Sequence, residues 1–120
     1  MVASRGYNRR MADYYNSGDL DRFPEIGKNA PNLAQKFFDW YGAVFADGAL
    51  SAREKSLIAL AVAHAVQCPY CIDAYSKDAL EKGSDLDQMT EAVHVAAAIR
   101  GGASLIHGIQ MRNQAKAIGM

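Results

Sequence analysis

The sequence is short of several things, and each shortage narrows the reading. Only two cysteines occur in 120 residues, too few for the disulfide framework of a small secreted domain. Net charge is absent: 13 Lys and Arg balance 13 Asp and Glu, so nothing draws the chain to nucleic acid or to an anionic membrane. Long apolar runs are missing too. The most apolar stretch, Leu57 to Val66, is about ten residues with His64 inside it, roughly half of a membrane span. The opening MVASRGYNRRMADYYNSGD lacks the apolar segment of a secretory signal. The expectation is a soluble cytoplasmic protein whose thiols rest reduced. No alternating strand pattern, internal repeat or low-complexity linker occurs either. What is present is a 50% apolar composition, enough for one domain with a modest core and too much for a disordered chain.

The patterns that remain are helical. Residues 1–29 are polar and rich in tyrosine, and read as an N-terminal extension. Within it Asp19 to Phe23 forms one helical turn stopped near Pro24, and the rest wraps the body or a neighbouring subunit. Residues 30–120 read as a single domain. Pro31 suits a first helical position, and Leu33, Phe37, Trp40, Tyr41, Val44 and Phe45 fall on one face, the expected core stripe, ended at Gly48. Ser51 and Glu54 read as a capping box opening a helix that is apolar all round, hence central and buried. A third helix runs from Pro69 to about Lys82 and stops at Gly83. Ser84 caps a fourth, with Met89, Val93 and Ala96 on its buried stripe. Gly101-Gly102 closes that helix, and a last one runs from Ala103 to Ile118. The fold is therefore all-α, a bundle of about five to six helices. Its Ala- and Gly-rich faces imply a homo-oligomer.

The chemistry lies in Cys68-Pro69-Tyr70-Cys71. Residues three apart share a helical face, close enough to bridge. Pro69 sets Cys68 at the N-terminus of a helix, where unpaired N–H groups and the dipole favour a thiolate. A thiolate is what nucleophilic or redox chemistry requires. A zinc site needs four ligands, and only His64 is near in sequence, so no metal and no cofactor are expected.

The run from Glu54 to Ala63, then CPYCIDAY, then Glu91-Ala92-Val93, Ala96-Ala97 and Gly101-Gly102, resembles the carboxymuconolactone decarboxylase/alkyl hydroperoxidase D (AhpD) superfamily over roughly residues 30–115. The segments LSAREK, AHAVQCPYCIDAY and AAAIRGGASL are similar to peroxidase-like proteins associated with arsenosugar biosynthesis. The resemblance implies a compact all-α fold with the CxxC at the N-terminus of a central helix, and homotrimers or hexamers. It also implies thiol-dependent reduction of hydroperoxides, with Cys71 attacking and Cys68 resolving. The redox motif of that superfamily sets a Glu before the pair and a His after it. Ser56 and Tyr75 stand at those places, so the proton relay is incomplete.

Other residues are candidates for that relay. His64 precedes Cys68 by one turn, and is either a relay or a core histidine bonded to a backbone carbonyl. His107 follows the Gly-Gly corner, where the superfamily often sets a polar side chain near the cysteines. Glu54 is a candidate that its capping role also explains, and Tyr75 can hydrogen-bond a thiolate. The leading expectation is a peroxidase-like oxidoreductase acting on a hydroperoxide and reset by an external dithiol. One alternative is a non-catalytic or slow-redox oligomer binding a thiophilic, arsenic-containing ligand. A second is a decarboxylase-type lyase, for which Arg100 is the sole cation near the corner.

Overall fold

A computed structural model of the chain describes residues 16–119. The extension expected to wrap the body lies, through residue 15, outside the described residues. Those described are helical, with no strand among them, and divide into two units between Val44 and Phe45. A 3₁₀ segment, Leu20–Gly27, precedes four α-helices: α1 Pro31–Phe45, α2 Ala52–Ala65, α3 Pro69–Glu81 and α4 Leu86–Ala117.

In the first unit, Pro24 does not stop the 3₁₀ segment but lies inside it. Arg22 N–H to Asp19 O and Lys28 N–H to Glu25 O, both 3.0 Å, hold the turns on either side of the ring. Phe23 meets Phe38 edge-on at 5.1 Å between ring centroids, and Phe37 meets Phe38 at 5.3 Å. The stripe on α1 is nevertheless no core: no residue of the helix is buried, and Trp40 is 64% exposed. So short a piece of chain cannot cover so many rings. α1 ends at Phe45, before Gly48, whose N–H instead bonds Leu50 O at 2.9 Å. Asp47 accepts the Ala52 N–H at 2.6 Å and prepares the next helix.

The second unit is built on α2. Ser51 caps it as expected: its hydroxyl accepts the Glu54 N–H at 3.0 Å, and Glu54 accepts the Ser51 N–H at 2.8 Å. α2 packs against both α3 and α4. Leu60, Ala79 and Met89, one residue from each helix, form the buried cluster, flanked by Leu57 and Tyr75. Burying a leucine such as Leu60 contributes roughly 1.5–3 kcal/mol. Two neighbours cover only part of α2, so Ile58, Val62 and Val66 are exposed where full burial was expected.

α2 and α4 run parallel and in register. Arg53 bonds Gln88 at 2.8 Å near their starts, and Arg100 bonds the Ala65 carbonyl the same number of residues further along each. α4 then continues, unbroken, about 25 Å beyond the end of α2. Gly101 and Gly102 therefore do not close a helix. Each costs about 1 kcal/mol relative to alanine in a helix, but neither takes a positive φ and both neighbouring segments favour helix. By length and composition α4 could cross a membrane, yet Met89 and Ala96 are buried in this bundle.

Ser84 is not the cap of α4. Gly83, at φ +91°, ends α3, and Ser84 N–H bonds Ala79 O at 3.0 Å to complete that end. Asp85 caps one residue later, in a reciprocal pair with Gln88.

Candidate active site

The turn that carries the cysteines is two helix ends fused at one residue. Beyond Ala65 the Gln67 N–H bonds His64 O at 3.2 Å and the Cys68 N–H bonds Ala63 O at 3.0 Å. This is the paired-bond ending that usually uses glycine. Here Gln67 takes the left-handed conformation, φ +58°. Cys68 precedes a proline and is accordingly extended, at φ −102° and ψ 103°. It is also the N-cap of α3: its Sγ accepts the Cys71 N–H at 3.3 Å. Pro69 takes the first helical position, where a missing N–H costs nothing.

Both cysteines are free and half-buried. Their sulfurs lie 2.6 Å apart and share a hydrogen bond. Burial pushes the Cys71 thiol up to about 11, helped by its hydrogen bond to Cys68 and by the charge that Cys68 can carry. The pair can hold one negative charge and one proton between two sulfurs within bridging reach.

The other candidates are spread along the bundle. Tyr75, one turn after Cys71, stacks on Phe45 with centroids 5.2 Å apart and packs on the core cluster. Ser56 is fully buried and donates its hydroxyl to Arg53 O at 2.6 Å. Glu54 is committed to the capping box, which holds its carboxyl below the usual range, chiefly through the Ser51 amide. Roughly 17 Å of helix separates it from Ala65, at the thiol end of α2. His64 bonds the Leu60 carbonyl through Nδ1 at 2.8 Å. A carbonyl only accepts, so Nδ1 carries the proton and Nε2 is the basic nitrogen of the neutral ring. The helix does not continue to Cys68, so the one-turn spacing that would aim His64 at that sulfur does not operate. His107 is exposed on the continuation of α4, with no corner to turn it back. Of the residues weighed as site groups, the structure brings together Cys68 and Cys71. Among the described residues, no three of His, Cys, Asp or Glu gather as a metal site.

Two residues carry more of the site than the sequence reading gave them. Arg100 sets a guanidinium on the last carbonyl of α2, beside the cysteine turn. Gln67 supplies the left-handed step. Its signal was available: a Pro69 at the first helical position leaves one residue between cap and preceding helix end to reverse the chain.

Residues 31–111 match the model of the carboxymuconolactone decarboxylase family. The chain belongs to this family. It is 43% identical over 83 residues to uncharacterized protein 4 in the cox locus of Paracoccus denitrificans, covering 69% of this chain and 75% of that one. An uncharacterized protein of Haemophilus influenzae is 41% identical over 58 residues, 48% of this chain and 50% of the relative. A crystal structure from Methanobacterium thermoautotrophicum superposes with a TM-score of 0.64 at 35% identity, over 79% of this chain and 99% of the other. An apo structure of a carboxymuconolactone decarboxylase family protein from Legionella pneumophila gives 0.62 at 29% identity, over 76% and 88%. The family and the helical architecture agree with the expected superfamily.

Proposed function

We propose that this protein is a thiol-dependent oxidoreductase of the alkyl hydroperoxidase type, working through Cys68 and Cys71. The observation that carries the reading is the sulfur pair itself, 2.6 Å apart at a helix N-terminus with a backbone N–H on Cys68 Sγ. One sulfur attacks the terminal oxygen of a hydroperoxide. An S–O bond forms, the O–O bond breaks, and an alkoxide leaves to become the alcohol. The second sulfur attacks the sulfenic sulfur, an S–S bond forms, and hydroxide leaves. An external dithiol then reduces the disulfide and is itself oxidised. We place the protein in the cytoplasm, where that pair would rest reduced.

The test is a single turnover of fully reduced protein with cumene hydroperoxide. The expected result is one equivalent of alcohol and one Cys68–Cys71 disulfide, with recovery on adding dithiothreitol. Thiols that stay free while excess hydroperoxide persists would overturn the reading.

The lyase alternative loses support, because Arg100 is engaged by Ala65 O rather than held out for a substrate carboxylate. A soft-ligand reading keeps some. Ser56 gives its hydroxyl to Arg53 O, and a close dithiol suits a trivalent arsenic compound. Arsenite binding to reduced protein, abolished in Cys68→Ser, with no hydroperoxide turnover, would favour that reading. A second copy of this chain is the partner we propose for α4 beyond Arg100. Leu105, Ile106, Ile109 and Met111 there are all exposed.

A further inference from the structure

The last four carbonyls of a helix have no partner inside it, and those of α2 are met one by one. Val62 O accepts the Val66 N–H at 2.9 Å, Ala63 O the Cys68 N–H at 3.0 Å and His64 O the Gln67 N–H at 3.2 Å. These three are closed by the turn itself. The fourth, Ala65 O, is closed from outside, by the Arg100 guanidinium of α4. That bond holds the peptide unit that leads out of α2 into Val66, Gln67 and Cys68.

The turn it holds is strained. Gln67, at φ +58°, is in a region that disfavours a residue with a side chain, so the turn has a reason to relax when released. Cys68 follows Gln67 directly, whereas Cys71 is inside α3 and moves with that helix. The placement of one sulfur against the other therefore depends on how firmly the turn is held.

We infer that Arg100 is a positioning residue for the sulfur pair: by holding Ala65 O it keeps Cys68 placed for closure with Cys71, and so favours the disulfide over the dithiol. The inference rests on the dithiol/disulfide cycle proposed above. Its sign follows from where freedom is lost. In the disulfide the turn is fixed twice, by the S–S bond and by Arg100. In the dithiol Arg100 and the main-chain bonds alone restrain it. Releasing Arg100 frees the dithiol more than the disulfide, so closure has a looser turn to order and is less favourable. Simple support of the fold acts differently, because an interaction equally strong in both forms leaves the equilibrium between them unmoved. Arg53 supplies the comparison. It bonds Gln88 at 2.8 Å and joins the same two helices, but roughly 18 Å of helix separates it from Ala65.

The experiment measures the redox equilibrium of the full chain in graded mixtures of reduced and oxidised dithiothreitol or glutathione. Thiols are trapped by acid and alkylated, and the two forms are counted by mass. In each exchange the reduced reagent gives up two electrons and two protons and forms its own disulfide, and the Cys68–Cys71 disulfide becomes two thiols. Arg100→Ala is expected to lower the equilibrium constant for disulfide formation about three- to tenfold, or ~14–30 mV toward easier reduction. Arg100→Lys, which keeps the charge and a donor, is expected to recover part of the loss, and Arg53→Ala to leave the wild-type value. Arg100→Met keeps the side-chain stem without the donors, and replaces the alanine variant if that one loses its helical circular dichroism. A constant unchanged in the alanine or methionine variant overturns the inference, as does an equal fall in Arg53→Ala. An Arg100 shift in these mixtures, with no oxidation of wild type by cumene hydroperoxide, overturns the hydroperoxide reading and leaves the positioning role standing. A wild type that forms no Cys68–Cys71 disulfide in any mixture overturns both.

Discussion

At the scale of single residues, the cysteine turn is held by a conformation its sequence does not favour. Gln67 at φ +58° occupies a region that costs a side-chain-bearing residue roughly 1–2 kcal/mol and glycine almost nothing. Gln67→Gly should raise the unfolding free energy by about 1 kcal/mol in urea denaturation, with both thiols still free. Cys71 makes a second prediction. The fold holds its thiol up to about 11 against an ordinary value of 9.0, chiefly by burial. Below pH 9 neither the folded nor the unfolded chain has released that proton, and the contribution to stability is whole. Between those values the unfolded chain releases it while the folded chain keeps it, so stability falls as pH rises. Denaturation of reduced wild type beside Cys71→Ser should show a gap that is flat up to about pH 9 and then narrows at wild type's expense toward pH 11. A gap unchanged across that window would contradict the burial argument.

At the scale of elements, what was legible in the sequence was what is decided locally. Ser51 and Glu54, Pro69 at the start of α3 and Gly83 at its end act within one turn of chain, and each does what its residue type dictates. The misplacements arose where a neighbour intervened. Ser84 has a capping side chain but is taken up in finishing α3, so Asp85 caps instead. Gly101 and Gly102 weaken a helix without ending it, and the flanking turns carry α4 through. The cysteine pair was legible as a motif, whereas the separation of Glu54 and His107 from it depends on where helices stop, which spacing alone does not reveal. Arg100 illustrates the same limit, because its contact with Ala65 spans 35 positions of sequence. Its guanidinium offsets the negative end of α2. Arg100→Ala should lower the unfolding free energy by up to about 1 kcal/mol in urea denaturation, and Arg100→Lys should restore part of it.

At the scale of the whole molecule, α4 beyond Arg100 leaves a row of apolar side chains exposed, with Leu105 at 80%. If a second copy covers that row, Leu105→Glu combined with Ile109→Glu should convert an oligomer to monomer in light scattering while the helical circular dichroism persists. An unchanged mass would move the interface elsewhere. The parallel register of α2 and α4 has another consequence, in the time course of folding. α2 and α3 are neighbours through a turn of a few residues, whereas both bonds between α2 and α4 close loops of 35 positions. Loop-closure entropy favours the nearer pairing first. The turn holding Cys68 and Cys71 is therefore assembled with the first two helices, before α4 arrives and Arg100 reaches Ala65. A chain emerging into an oxidising medium meets its oxidant with the two sulfurs already side by side and the last helix not yet docked, so its redox state can be fixed before its fold is complete.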